Sequence, residues 1–506
     1  MSEVHDVIIA GAGPIGLFLA CELALAKVPV LVIERDAQPE SPWKDKALGM
    51  RGLNTASIES LYRRGLMDQA LTAAQDRPQH FKAKPGFQFG GHFAGILLNA
   101  NKLDMSRHKY RLPGPGLVPG PSYMARVEKA FTERAVSLGV TIHRGAGVSG
   151  VSQDDDLVTV QAGDQTFRTK WLVGCDGGRS AVRRAAGFEF VGTEPEFTGF
   201  AFTADLDDAS KLKPGFHFGK GGLHIVGHEK NYFLIDFVDK TFDRAKEPTL
   251  EHLQTVLEHV TGTDAKITKV HHASSFTDRS KQATTYRKGR VLLAGDAAHI
   301  HSPLGAQGLN LGLGDSMNLG WKLAATIRES STDFTLLDTY EKERHPVGAW
   351  ALEWTRAQVT TLKPDLFGGA IRNLVQDLLS TTDGTNLVVD RVWGLSLRYD
   401  PDDKDAHPLV GCSAPDYEFD DGERLGVKML GGKGLLVSFD DEAELKKLAG
   451  AYEDRIDYLA VRAKEQLGIK ALLIRPDGFV AWVAEEKSDV NAAKPALERW
   501  FGKASK

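Results

Sequence analysis

The run Val7–Ile8–Ile9–Ala10, followed at once by Gly11–Ala12–Gly13–Pro14–Ile15–Gly16, constrains this chain more than any other segment. A short apolar run ending in glycine reads as a buried parallel strand, and the pattern from Pro14 to about Lys27 reads as a helix. Pro14 falls in the first helical turn, where its missing N–H has no intrahelical partner to lose. A second strand, Val28–Ile33, ends in Glu34, 23 residues after Gly11. In such a unit Gly11 makes the tight turn, Gly13 lets the backbone approach a pyrophosphate, and Gly16 lets helix and strand pack closely. The positive helix end faces the phosphates, and Glu34 can accept hydrogen bonds from an adenosine ribose. Gly11, Gly13, Pro14, Gly16 and Glu34 are therefore candidate cofactor-binding residues. Arg35 is kept beside them, although Arg35 and Asp36 read equally well as solvated loop charges. The unit by itself does not separate FAD from NAD(P).

A second glycine-rich stretch, Gly295–Asn310 (GDAAHIHSPLGAQGLN), begins almost 280 residues later. It follows an apolar strand, Arg290–Ala294, and Gly295–Asp296 ends that strand. Asp296 is placed to bind hydroxyls of a sugar or sugar-alcohol chain. Pro303 and Gly305 make an irregular loop, and a helix begins at Gly308 with Leu309, Leu313, Met317, Leu319 and Leu323 as its apolar positions. Asn310 and the neighbouring N–H groups stand at that helix N-terminus, which stabilises anions. Two such segments, in this order and this far apart, describe one long cofactor held at both ends. Between them the strand Thr169–Cys175 runs into Asp176–Gly177–Gly178–Arg179–Ser180, and a helix starts near Ser180. Asp176 is a candidate contact for a phosphate-linked ribose or an incoming nicotinamide cofactor. His299, His301 and Gln307 are too few and too local for a metal set, so no metal ligand is assigned.

The 506 residues suit two or three domains rather than one core. A hydrophobic content of 42% and a net charge of −5 give no reason to expect nucleic acid or a membrane surface as partner. No apolar run approaches the roughly 18 residues of a membrane helix, and the N-terminus carries no signal-peptide pattern. Cys21, Cys175 and Cys412 are far apart and form no CxxC pair. A reduced, cytoplasmic setting is the resulting expectation.

With these residues identified, the chain resembles the FAD-dependent aromatic hydroxylases, the single-component flavoprotein monooxygenases similar to p-hydroxybenzoate hydroxylase. The resemblance rests on Gly11–Gly16, Cys175–Arg183 and Gly295–Asn310, with Asn318–Leu323 (NLGWKL) and Tyr340–Pro346 (YEKERHP) in support. It extends over Met1 to about Arg398. From about His407 the tail resembles the thioredoxin-like C-terminal domain of the phenol- and polyketide-hydroxylase branch, through Leu409–Gly411, Ala414–Asp416 and Arg475–Trp482 (RPDGFVAW). Lacking a CxxC pair, that tail is expected to serve packing or association, a homodimer being one form association takes. The chain departs from the family near Arg51–Thr55, where the spacing is about three residues longer, and near Ser122–Glu128, where Met124 stands in the neighbourhood of the usual glutamine. Arg126 is carried as a cofactor-binding candidate there. Ala306 occupies a position where glycine is common, a change expected to be tolerated.

The resemblance implies an α/β fold: a Rossmann-like FAD domain of the GR2 type from 1–76, 105–189 and 286–402, an inserted β-sheet substrate domain from 77–104 and 190–285, and the thioredoxin-like domain from 403–506. It also implies the chemistry. NAD(P)H reduces FAD, O2 adds at flavin C4a, and one oxygen passes to an electron-rich phenolic or polycyclic aromatic ring. Asp296 would then hold the ribityl chain, while Pro303, Gly305, Gly308, Leu309 and Asn310 would face the reacting ring and its negative charge. No acid–base residue is dictated by sequence; His217, His224, Tyr232 and Asp236, on the expected sheet, are the candidates. No second strand–GxGxxG–helix unit exists to hold NAD(P)H on a domain of its own. Epoxidation, Baeyer–Villiger insertion or oxidative decarboxylation on the same fold, and a non-redox flavin-containing cyclase or binding protein, are the competing readings.

Overall fold

The computed structural model describes residues 3–72, 81–238, 246–329, 333–485 and 490–504, with nothing said of the side chains of residues 46, 47 and 490. The boundary expected between residues 76 and 77 lies outside the described residues. Strand β1 (Val4–Ala10), helix α1 (Pro14–Leu25) and strand β2 (Val30–Glu34) form the N-terminal unit. β1 lies parallel to both its neighbours, β2 and the long strand Gln165–Gly174, and Val291–Leu293 and Thr141–Arg144 extend this sheet on either side. Val7, Ile8 and Ile9 are fully buried, as expected of a parallel strand covered on both faces. Helix α1 is apolar on all sides except at Glu22, which pairs with Arg64, because it too is enclosed, by the sheet on one side and by helix Gly308–Glu329 on the other.

The inserted sheet contains β3 (Thr198–Leu206), β4 (Gly215–Phe218), β5 (Gly222–Val226), β6 (Asn231–Asp236) and the strand Ile267–Thr277, all antiparallel, in the order β4–β5–β6–β3–(Ile267–Thr277). The two-residue period of a strand gives it two distinct faces. One face, with Phe200, Phe202, Tyr232 and Leu234, packs on helix α2 (Leu250–Thr261) through Leu253, Val256, Leu257 and Val260. The other, with Leu223 and Ile235, joins Phe197, Phe93 and Leu98 of the hairpin Phe89–Phe93/Ile96–Asn99, and Leu304 and Trp354. The second face is therefore the one turned toward the Gly295–Asn310 segment.

Two long helices, α3 (Gly308–Glu329) and α4 (Thr335–Leu362), tie the parts together. α3 lies close against α1 because glycines stand at the contact: a Cβ on Gly312 would come within 2.4 Å of Ile15, and one on Gly320 within 2.5 Å of Glu22. Beyond α4, the C-terminal sheet runs (Ile456–Ala460)–(Gly434–Ser438)–(Ala471–Ile474)–(Val480–Ala484), its first pair parallel and the others antiparallel. The glycine- and proline-rich stretch Leu112–Pro121 wraps over this domain. Leu112 packs against its core and the Pro113 carbonyl accepts from Arg424 at 2.7 Å, while the Leu117 carbonyl ties the stretch back to the N-terminal part by accepting from Thr55 at 2.7 Å. No described helix is long and apolar enough to cross a membrane.

A buried charge network joins the C-terminal domain to the two long helices. Glu343 of α4 accepts from Lys322 (2.6 Å) and Asn318 (2.6 Å) of α3 and from Arg475 (3.0 Å) of the C-terminal sheet. Asp477 accepts from Arg475 (3.1 Å) and from the Trp321 indole (3.1 Å). Burial pulls the Lys322 ammonium down to about 8, against the opposing pull of Glu343. Three segments that looked merely family-like in sequence, 318–323, 340–346 and 475–482, thus meet at one place. Replacing Glu343→Gln leaves Lys322 without its carboxylate and Arg475 with only one; it should lower unfolding free energy by about 3 kcal/mol, measured by urea denaturation of the purified protein.

Candidate functional site

The N-terminal turn has the geometry its glycines require. Gly11 adopts φ +107°, and a Cβ there would meet the Cys175 carbonyl oxygen at 2.5 Å. A Cβ on Gly16 would lie 2.0 Å from the Gly11 oxygen, whereas nothing stands within 4 Å of the position it would take on Gly13. Gly13 borders open space at the N-terminus of α1, whose first residue is Pro14 and whose cap provides no side-chain acceptor for the leading N–H groups. Glu34, at the end of β2, closes the turn from below: it accepts from Ala12 N at 2.6 Å and from Asp36 N at 2.8 Å. Arg35 is exposed beside it and pairs with Asp36, which holds its guanidinium above the ordinary range.

The middle and late segments converge on this turn. Arg183 bridges them, donating to the Gly178 carbonyl and to the Ala297 carbonyl, each at 2.8 Å. Asp176 serves first as a helix cap: one carboxylate oxygen accepts from Ala181 N (2.6 Å) and Val182 N (3.1 Å), while the other is buried without a partner. Its expected ligand role thus rests on that second oxygen alone. Asp296 is exposed, and its carboxylate lies 3.7 Å from where a Cβ of Gly308 would stand, at the mouth of α3. Gly295 takes φ +62° and donates its N–H to Asp315 at 2.9 Å.

Asp315 was not singled out in the sequence. It is fully buried on α3 and also pairs with His299 (2.7 Å) and with Arg344 of α4 (2.8 Å). Burial alone would raise this carboxyl; the His299 ring and the Arg344 guanidinium overcome that and hold it below the ordinary range. His299 is therefore a structural partner of the loop. His301 bonds the Ser302 carbonyl through Nδ1 at 2.7 Å, its Nε2 has no partner, and burial depresses its basicity. Polar residues at enclosed positions of a helix, such as Asp315 and Arg344 here, were the available sequence signal.

The loop ahead of α3 is sharply turned. Ala306 N donates to the Pro303 carbonyl at 3.1 Å, Gly305 has φ +81° and Ala306 φ +54°. The first N–H to find a partner in this helix is that of Leu311, donating to Gln307 at 2.9 Å. Those of Gly308, Leu309 and Asn310 remain for a ligand, as at any helix start. The Asn310 side chain is a brace: it accepts from Asn54 N (2.9 Å) and the Ser57 hydroxyl (2.7 Å) and donates to the carbonyls of Gly52 (3.0 Å) and Ala306 (2.9 Å). Its expected role at the cofactor passes to its backbone. Away from α1, this face of α3 borders a cavity of about 320 Å³ shared with the C-terminal domain and lined in part by Gln307, Trp350, Arg391 and Phe479.

Two expectations change. Arg126 is exposed and donates to the carbonyls of Gln69 (2.7 Å) and Asp68 (3.1 Å), so it closes the end of the short helix Met67–Ala70 instead of reaching across the turn. His217, His224, Tyr232 and Asp236 all lie on the α2 face of the sheet, because residues of one parity in a strand share one side. Tyr232 sits in the α2 core, Asp236 pairs with His259 of α2 at 3.2 Å, and His224, lowered by burial to about 4, stacks on His217. None of the four faces the apolar wall beside Leu304, and the acid–base role is set aside.

What remains fits a long dinucleotide cofactor. Two helix N-termini offer free N–H groups, Gly13 leaves backbone open to a pyrophosphate, Asp296 is exposed for hydroxyl groups, and unpartnered oxygen and nitrogen atoms stand on Asp176 and His301. Comparison with known proteins agrees. The family model described as "FAD binding domain" matches residues 4–355, and that described as "Aromatic-ring hydroxylase, C-terminal" matches 407–504. A protein named only as a monooxygenase, from Claviceps purpurea, is 48% identical over 99% of this chain and 98% of its own length. The solved structure of OxyS, an anhydrotetracycline hydroxylase from Streptomyces rimosus, superposes with a TM-score of 0.86 at 33% identity, covering 99% of this chain and all of that one. A dialkyldecalin synthase from Streptomyces rugosporus is 33% identical over 99% of both.

Two substitutions check this assignment. Asp296→Ala should yield colourless protein with FAD content reduced at least tenfold, read from the visible absorption spectrum; stoichiometric yellow protein would remove Asp296 from the site. Ala306→Gly should raise thermal stability, since an alanine held in the left-handed region costs about 1 kcal/mol; the shift in melting temperature of the flavin-free protein reads it directly.

Proposed function

Because the chain belongs to the family of FAD-binding aromatic-ring hydroxylases and is an FAD-dependent monooxygenase, we propose that it hydroxylates a phenolic or polycyclic aromatic compound with NAD(P)H and O2 as co-substrates. The observation that carries this reading is the position of the apolar wall. Leu304 of the loop leading into α3 belongs to the same buried cluster as Phe93, Phe197, Leu223, Ile235 and Trp354. A flat apolar substrate held there lies beside the place where the α3 N-terminus would receive a flavin ring. A bound FAD would supply the redox chemistry, taking reducing equivalents from NAD(P)H and activating O2 at its C4a position.

The protein's own contributions are binding, orientation and exclusion of water. Gly11, Gly13 and Gly16 bring backbone and the α1 N-terminus to the pyrophosphate, with Glu34 at the ribose. Asp296 holds the ribityl hydroxyls, and the N–H groups of Gly308, Leu309 and Asn310 stabilise negative charge at the pyrimidine edge. The free oxygen of Asp176 is available to a ribose hydroxyl. Without a second nucleotide-binding unit, NAD(P)H would dock only transiently.

The likeness to a dialkyldecalin synthase favours one competing reading, a ring-forming reaction in which the flavin undergoes no turnover. The two differ in what they consume. Purified yellow protein should oxidise NAD(P)H at least tenfold faster with a suitable polycyclic phenol than without it, and 18O2 should place one labelled atom in the product. Product formation with neither NAD(P)H nor O2 consumed would establish the cyclase instead.

A further inference from the structure

The substrate side of the apolar cluster contains two hydrogen-bond donors with nothing to donate to. Gln358 is fully buried on α4. Its Oε1 accepts from the backbone N–H of Ala94 at 2.9 Å, which fixes the amide's orientation and leaves Nε2 as its free end. That Nε2 has no partner, and it lies 3.1 Å from where a Cβ of Gly305 would stand, against the loop that leads into α3. Trp354, one turn earlier and 8% exposed, likewise has a buried indole Nε1 without a partner. Residues four apart on a helix project to the same side. The ring of Trp354 stands edge-on to Phe93 at 4.9 Å, within the cluster that includes Leu223, Ile235 and Leu304.

A buried donor left unsatisfied costs about 1–3 kcal/mol. Two of them, on one face of one helix, in the wall shared by the inserted sheet and the cofactor loop, are costly unless a ligand completes them. Both are donors only. The Gln358 oxygen is turned to the Ala94 N–H, so the free groups of this pair are donors suited to an acceptor oxygen rather than to a phenol O–H.

We propose that Gln358 and Trp354 form a two-donor clamp for a ring carbonyl oxygen of the substrate, and that the preferred substrates are accordingly polycyclic aromatics bearing such an oxygen. This rests on the hydroxylase reading for the identity of the site. The clamp orients the ring against the cofactor loop and draws negative charge toward the donor end of the substrate.

The test uses the FAD-loaded protein and two probes of matched shape, 1-hydroxyanthraquinone and the carbonyl-free 1-anthrol, each titrated while the flavin absorption band is followed. The unaltered protein should bind the quinone at least tenfold more tightly than the anthrol, about the discrimination of one buried hydrogen bond. Gln358→Glu retains the acceptor for Ala94 while replacing the free donor with a carboxylate; it should abolish that preference. Trp354→Phe keeps an aromatic ring and should reduce the preference several-fold. FAD content and melting temperature report whether each variant is folded, and Gln358→Leu provides a second loss of the donor if the glutamate variant does not fold. Equal binding of the two probes by the unaltered protein, or a preference unchanged in both Gln358 variants, overturns the clamp. A preserved quinone preference without substrate-stimulated NAD(P)H oxidation would overturn the hydroxylase reading and leave the clamp standing.

Discussion

The buried carboxylate of Asp315 is the interaction on which the site's geometry depends. It gathers one backbone N–H from the late glycine segment, one histidine ring from the strand that follows, and one guanidinium from α4. The Gly295 turn, with φ +62°, is buried against the Ile15 side chain. Its position is defined by a charge inside the neighbouring helix. A charge at that depth is tolerable only when its desolvation is offset from several directions at once, which is why Asp315, His299 and Arg344 belong together although they come from two helices and a short strand.

The same logic recurs at larger scale around Glu343. Neighbouring residues of α4, Glu343 and Arg344, reach different networks: one toward the C-terminal sheet, the other toward the cofactor loop. The Asn310 brace and the Arg183 bridge complete the arrangement by fastening the start of α3 to residues 52–57 and the middle segment to the late one. Each link ties together parts of the fold that are far apart in sequence.

Sequence legibility followed the range of the interaction. Turns governed by local sterics were readable: Gly11, Gly13 and Gly16 adopt the conformations and clearances that their spacing implied. The two-residue period of β3, which puts Phe200, Phe202 and Ala204 on one side, is likewise a local property of the chain. Periodicity reports that a strand has two faces but not which face meets the cofactor domain. His217, His224, Tyr232 and Asp236 share the α2 side for that reason. Side chains that serve the backbone were similarly opaque. Asp176 as a cap and Asn310 as a brace use polar atoms that a motif-based reading reserves for ligands. Asp315 and Gln358 acquire meaning only from partners 16 to 264 residues away, and Trp354 from the lack of one.

Helix α4 carries Pro346 within it, just after Glu343 and Arg344 and before Trp354 and Gln358. Its first half is fastened to the C-terminal sheet and its second half forms part of the wall proposed to meet substrate. The C-terminal domain is thus continuous, through one helix, with the surface that sorts substrates. In evolutionary terms it is a poor cassette. Exchanging it between relatives would also disturb the Arg475–Glu343 contact on α4, so a lineage that reshapes its substrate wall works against constraints set at the other end of the same helix.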